Sequence, residues 1–365
     1  MPSIYRDTYV PILLTRQAEI RSLGDLSSKI ANSIVPMFMV HPRDWDYDND
    51  DYKRSVDDHL DRLVKDLSSR WGDREALVDV GHLNDDVTAD GGHPLVALID
   101  RAREKNVTLT PVTDAGRSPE HQEAVRRVVA GGSELLLRLP ASQWKAVTAH
   151  RPRLNALLKW FAIDPGKVHL LFDLKTETGP AAQSGLKSAL SALDHADQWA
   201  SVTVAGTSMP SSMPPGEGLH RLPRPEWEFY RSLRDGRFPR IPAFSDYGIQ
   251  HPKLPEVNPA FLQITAHLRY LVENDWIIAK GGLFKGPAGR GEGGKAMIPA
   301  LKALIADPDY TPNHCACEKW VAQTLDNADS AANPSKIKAG NALTWRQQGT
   351  TRHVTRAVEL ISSLV

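Results

Sequence analysis

Eight short runs of apolar and β-branched residues recur along the first two thirds of the chain, at 9–15, 34–40, 75–80, 107–113, 134–139, 168–174, 201–206 and 240–245. Amphipathic stretches lie between them, such as 57–71, 94–106 and 119–132, with apolar residues three and four apart. Strands alternating with helices pair in parallel through right-handed crossovers. Eight such units match the roughly 250 residues of a (β/α)8 barrel. We therefore expect an α/β chain with a (β/α)8 TIM-like barrel over 1–250. An open doubly wound sheet is the alternative, but Thr15-Arg16-Gln17 stands where its Gly-rich turn would follow the first strand.

Successive side chains on a strand point to opposite faces, so the alternation can be tested run by run. With Asp173 turned into the barrel, Val168, Leu170, Phe172 and Leu174 face the helices. Turning Arg138 inward leaves Leu135, Leu137 and Leu139 outside, and turning Asp79 inward leaves Ala76, Val78 and Val80. With Arg16 inward, Pro11 and Leu13 face the helices. The polar residues fall on the lumen side, at the C-terminal strand ends.

Past residue 250 the rhythm changes. Residues 263–270 alternate polar and apolar, 273–275 read as a turn and Trp276-Ile277-Ile278-Ala279 follows, which predicts an antiparallel hairpin. Helical patterns occupy 295–306, 314–327 and 351–364, so 251–365 is expected to be a C-terminal α/β appendage packed on the barrel. The Pro-rich segment 208–227 reads as a long connection of the kind that forms lids and binding loops. Residues 286–295 form a Gly-rich loop that approaches a phosphate-binding P-loop. Ala296 replaces the hydroxyl that would hold Mg²⁺, and no parallel strand clearly follows. What remains is a mobile Gly-rich loop with Arg290 and Lys295 that enters a helix and could close over an anion.

The 44 Lys and Arg balance 44 Asp and Glu, so no overall field draws the chain to nucleic acid or to an anionic membrane. No run approaches the roughly 20 apolar residues of a membrane span, and Arg6 and Asp7 break any leader-like region, so a cytoplasmic protein is expected. Cys315 and Cys317, the only cysteines, are too close for an unstrained disulfide and too few for a zinc site.

Barrel enzymes act at the C-terminal strand ends. Those ends carry Asp79, Asp114, Asp173, Lys175 and Asp246 as candidate catalytic groups, with Arg16, Glu19, His41, Arg43, Arg138 and Tyr247 as candidate ligand-binding groups. Asp79 and Asp173 offer hard oxygen ligands for Mg²⁺ or Mn²⁺, with arginines to hold a phosphate. That combination suits a nucleotide or nucleic acid, bound or hydrolysed. Other readings stay open: Lys175 as a Schiff-base nucleophile beside Asp173, a non-enzymatic scaffold for a protein partner, or an ion network that only neutralises itself. In the appendage, Arg269, Arg346 and His353 could gather at an anion, or belong to an exposed sheet face and a helix start.

Tyr9-Val-Pro-Ile-Leu-Leu-Thr-Arg16-Gln-Ala-Glu19 resembles the opening of the phage-type "beta protein" family, found in phages and bacteria. Arg240 through Pro252, Leu268-Arg269-Tyr270, Trp276, Lys280-Gly281, Gly340-Asn341, Trp345-Arg346 and Arg352-His353 extend the likeness over nearly the whole chain. The resemblance implies no named activity. It singles out Arg16, Glu19, Asp246, Tyr247, Arg269, Arg346 and His353, and where such proteins occur suggests a setting in phage and host conflict.

Overall fold

The computed structural model describes residues 3–144, 147–193, 196–254, 263–286, 289–333 and 337–364, with the side chains of 147–153 outside that description. Among the described residues thirteen strands follow one another: β1 (Tyr9–Leu14), β2 (Met37–Met39), β3 (Trp45–Asp46), β4 (Asp51–Tyr52), β5 (Ala76–Asp79), β6 (Leu109–Thr113), β7 (Leu135–Pro140), β8 (Val168–Asp173), β9 (Ser201–Gly206), β10 (Gly218–Pro223), β11 (Ala243–Asp246), β12 (Ile264–Leu271) and β13 (Asp275–Lys285). Eight close a barrel in the order β1-β11-β9-β8-β7-β6-β5-β2, and the pairs are parallel. The expected barrel is therefore present, with β1 closing it between β11 and β2.

Side-chain alternation sorts the barrel into two layers. Val10, Ile12, Met37, Leu77, Val112, Leu136 and Leu171 fill the lumen. Leu13, Val78, Val80, Leu135, Leu137, Leu170, Phe172 and Leu174 face the helices, as the alternation predicts. The helices form for local reasons. Val56–Arg70 begins where Ser55 accepts the Asp58 N–H, carries Asp57 and Asp58 at its N-terminus and Arg70 at its end, and buries Leu60, Leu63, Val64 and Leu67. Each such side chain contributes on the order of 1.5–3 kcal/mol when fully buried.

A three-stranded antiparallel sheet, ordered β10-β13-β12, packs beside the barrel. The predicted hairpin is β12 and β13. The division at residue 250 does not follow this sheet, because β10 comes from the Pro-rich segment 208–227, whose end is an edge strand and not a free lid. Residues 255–262, between barrel and hairpin, lie outside the described residues.

The last helix runs Ala342–Ser362 and starts nine residues before the expected 351, with Asn341 accepting the N–H groups of Leu343 and Thr344. Gly349 reads as a helix breaker, yet a Cβ there would sit 3.0 Å from the Arg269 carbonyl oxygen. Its missing side chain admits β12 against the helix.

The Gly-rich loop is tied down: Gly286 N–H donates to Arg290 O, Glu292 N–H donates to Leu283 O, and a Cβ on Gly281 would overlap the Ala296 carbonyl at 1.9 Å. Ala296 and Met297 are buried in the appendage core, away from the barrel lumen. Positions 287 and 288 of this loop lie outside the described residues. Both cysteines are free thiols, and burial pushes Cys315 up to about 12.

Candidate functional site

Four side chains, from β5, β7, β8 and the residue just past β11, meet at the C-terminal mouth of the barrel. Arg138 on β7 is the hub: its Nε donates to Asp173 Oδ2 at 2.8 Å, its Nη1 to Asp79 Oδ2 at 3.1 Å and its Nη2 to Tyr247 Oη at 2.5 Å. Tyr247 donates in turn to Asp173 Oδ2 at 2.7 Å, while Asp173 Oδ1 accepts the Lys175 N–H at 2.8 Å. Arg117, from the loop after β6, bridges both oxygens of Asp79 at 2.8 and 2.9 Å, and Asp79 Oδ1 also accepts the Gly81 N–H. Gly81 is required for this approach, because a Cβ there would lie 2.1 Å from Arg117 Nη1.

Burial sharpens these interactions. Asp173 is fully buried and Asp79 nearly so. Burial alone would raise the Asp79 carboxyl, but the Arg117 and Arg138 guanidiniums hold it below its usual range. Burial would likewise weaken the Arg138 charge, and Asp173, Tyr247 and Asp79 more than reverse that. Burial, followed by Asp173, drives the Tyr247 phenol well up, so it stays a neutral donor.

Above this network opens a cleft of about 410 Å³, lined by Asp79, His82, Arg117, Arg138, Lys175 and Lys253. Its lining holds one carboxylate, Asp79, with two arginines and two lysines. His251 also lines it, and burial lowers His82. Lys175 is exposed on the rim with a left-handed backbone (φ 50°), its N–H turned back to Asp173.

A divalent cation needs free carboxylate oxygens. Those of Asp79 and Asp173 are occupied by guanidinium, phenol and backbone donors, so the pair as arranged does not fit a metal. Among the described residues no group of three or more His, Cys, Asp or Glu side chains could hold one.

Other sequence candidates stand apart from the cleft. Asp114 accepts the Gly116 N–H and Arg117 Nε at 2.9 Å, so it orients Arg117 without lining the cleft. His41 bonds Thr15 Oγ1 at 2.9 Å and lies edge-on to His59; burial and His59 take it down to about 4. Arg43 pairs with Asp86 and lies over the Tyr52 ring.

Asp246 does not reach the mouth. Ala243 and Tyr247 face the lumen, so Phe244 and Asp246, of opposite parity, face outward. Asp246 Oδ1 there accepts Tyr9 Oη at 2.5 Å, and His353 Nε2 from the last helix lies 2.9 Å from Asp246 and 2.8 Å from Tyr9 Oη. His353 also stacks on Trp276 of β13, and Arg224 stands 3.7 Å from Asp246. All of these groups are buried, which makes the cluster a clamp between barrel and appendage.

A third polar group gathers where β1 ends. Glu19 is fully buried on the first turn of the helix Gln17–Leu23; its Oε1 accepts from Gln250 and lies 3.8 Å from Arg346 Nε. Arg16 precedes that helix, and Arg269 on β12 packs its backbone against Gly349 of the last helix.

Sequence reasoning missed Arg117 and Lys253. Arg117 sits one residue before Ser118, which caps the helix Pro119–Ala130, so following that helix back to its cap locates it at the mouth. Lys253 lies beyond β11 in an irregular segment with no periodicity to read.

A protein-family model described as Beta protein matches residues 9–359. No curated protein matches the chain. Among solved structures, a mutant tryptophan synthase α-subunit from the hyperthermophile Pyrococcus furiosus is similar at 10% identity and a TM-score of 0.37, over 67% of this chain and 88% of that one. The carboxyl transferase domain of Rhizobium etli pyruvate carboxylase is similar at 11% identity and a TM-score of 0.32, over 62% of this chain and 43% of that one. The barrel here rests on its own closed strand order. Among the described residues no helix is long and apolar enough to cross a membrane.

Proposed function

We propose that this chain, which belongs to the Beta protein family, binds a phosphate-bearing ligand, such as a nucleotide or nucleic acid, in the basic cleft at the mouth of its barrel. One observation carries this reading: Arg117, Arg138, Lys175 and Lys253 line the cleft against the single carboxylate of Asp79. Arg117 and Arg138 are already fixed by buried carboxylates, so they present their remaining N–H groups without an ordering cost. Lys175 and Lys253 add rim charge that draws an anion in. Because the Asp79 and Asp173 oxygens are occupied, the reading is binding first, and turnover with Mg²⁺ or Mn²⁺ is an outcome to measure. Titration calorimetry with inorganic phosphate, mononucleotides and short oligonucleotides tests it, with and without each cation. Binding that weakens at least about tenfold in Lys175→Gln/Lys253→Gln supports the reading, since a hydrogen bond to a charged group is worth about 1.5–3 kcal/mol. No binding of any of these probes by the wild type removes it.

A second reading, a non-enzymatic scaffold for a protein partner, is favoured by the β3–β4 hairpin. Trp45, Tyr47 and Tyr52 are 36, 53 and 42% exposed there, among Asp44, Asp46, Asp48, Asp50 and Asp51. That surface suits an Arg- or Lys-rich segment. It predicts that Trp45→Ser/Tyr47→Ser abolishes binding of an oligo-arginine peptide and leaves phosphate binding untouched.

A further inference from the structure

We infer that Arg16, Arg269 and Arg346 form a second anion subsite beside the cleft, so that the ligand carries two separate phosphate groups, with a 5′-phosphorylated dinucleotide as the smallest probe. This deepens the reading of the cleft as a phosphate site and rests on it.

The charges at the junction of barrel and appendage do not balance. Arg346 lies 3.8 Å from the carboxylate of Glu19, whose charge also acts on Arg16 and Arg269, while its Oε1 is engaged by Gln250 and its Oε2 is buried without a partner. Exposed Asp44, the weakest influence on Arg16, already stands beside Arg54. Among the described residues the side chains of Arg16 and Arg269 make no hydrogen bond or ion pair, and the Nε of Arg269 is buried without a partner. A network with only a structural role pairs its buried charges, because an unpaired one is costly.

The backbone brings the three together. β1 delivers Arg16 at the same end of the barrel as the cleft. Gly349 lets the last helix meet β12 at Arg269, and Arg346, three residues earlier, lies on the same helix face. Arg346 is 30% exposed and Arg16 and Arg269 are half-buried, so all three are partly reachable from solvent.

The electrostatics agree. The partial burial of the side chain and the neighbouring Arg346 both lower the Arg269 guanidinium, with Glu19 only partly opposing. The same two influences lower Arg16. Burial, then Arg269, takes neighbouring His267 down to about 3, which keeps the recess from gaining yet more charge. Leu14 of β1, two residues before Arg16, pairs with Met39 of β2, which lines the cleft, so the two sites are neighbours. Guanidiniums in this number suit a phosphate's oxygens.

Titration calorimetry on the full chain compares a 5′-mononucleotide with a 5′-phosphorylated dinucleotide. The wild type should bind the dinucleotide at least about tenfold more tightly, the equivalent of one charge-assisted contact. Arg346→Gln and Arg269→Met should each remove that margin and leave the mononucleotide within about twofold, whereas Lys175→Gln should weaken both probes. A margin that persists in Arg269→Met, or no margin in the wild type, overturns the subsite and leaves the cleft reading standing. If the wild type binds neither probe, the subsite falls together with the cleft. Thermal melting without ligand separates a structural role: Arg269→Met should melt no lower than the wild type, because it removes an unpaired charge. A lower melting temperature would make the guanidinium structural and overturn the inference.

Discussion

Replacing Arg138 by Met tests the mouth network most directly, since the side chain keeps its apolar stem and loses only its charge and donors. Asp79 would retain Arg117, which bridges both of its oxygens. Asp173, fully buried, would keep only the Tyr247 hydroxyl and the Lys175 N–H. The cost is therefore one uncompensated buried carboxylate, for which removing one partner of a buried pair costs about 3–5 kcal/mol. With an unfolding entropy of about 2.1 cal/mol/K per residue, a chain of this length has roughly 0.8 kcal/mol/K, so about 4 kcal/mol lowers Tm by about 5 °C. Adding Asp173→Asn removes the orphaned charge and should recover about 2 kcal/mol, a coupling that a double-mutant cycle by calorimetry reads directly. A loss below about 1 kcal/mol for Arg138→Met, or strictly additive effects in the double variant, would refute the claim that Arg138 neutralises Asp173.

Four further outcomes are expected. Gly81→Ala should push Arg117 off Asp79, weaken phosphate binding about tenfold and lower Tm, because buried Asp79 then keeps only Arg138 and one backbone N–H; calorimetry and melting together check this. His353→Ala should lower stability by about 3–5 kcal/mol in denaturant melts, because it opens a cavity and strips Asp246 and Tyr9 of a buried partner. Asp79 and Asp246 both have carboxyls held below the unfolded value. Burial opposes this in each; Arg117 and Arg138 prevail at Asp79, and chiefly His353 at Asp246. Their stabilisation is present above about pH 4 and lost as pH falls through the folded values, so Asp79→Asn should flatten the acid limb of a stability–pH curve. His41 and His121 fall to about 4 and His267 to about 3, each mainly by burial, so their imidazole NMR signals should not titrate between about pH 5 and 8. As pH drops below about 6.5 their neutral burial becomes a destabilising load.

The barrel was legible because both of its layers leave a mark on the same residues. Asp173, Arg138 and Asp79 each sit one step out of phase with apolar neighbours that must face helices, so the inward side identified itself. Asp246 was misjudged for the complementary reason. It is one residue from inward-facing Tyr247, and the strand continues through it, so parity sends it outward to the last helix. β10 hid inside a Pro-rich segment, since an edge strand tolerates Pro where the ladder needs no donor. Gly349 concealed the first turns of the last helix, because the close approach that requires it involves a strand some 80 residues earlier. The gathering of Arg16, Arg269 and Arg346 is tertiary from the start, and no local periodicity encodes it.

The clamp at Tyr9 bears on how the chain is made. Its hydroxyl meets Asp246 across a separation of 237 residues and His353 across 344. At about 5–20 residues per second, the interval between synthesis of the first strand and of its last partner is roughly 17–70 s. Only over its last 107 residues, about 5–21 s at that rate, does β11 exist, and the barrel can then close on the ribosome only with Tyr9 and Asp246 facing outward uncovered. A nascent chain stalled before the last helix that closes its barrel therefore carries a polar scar on its flank, which the last helix covers when it arrives.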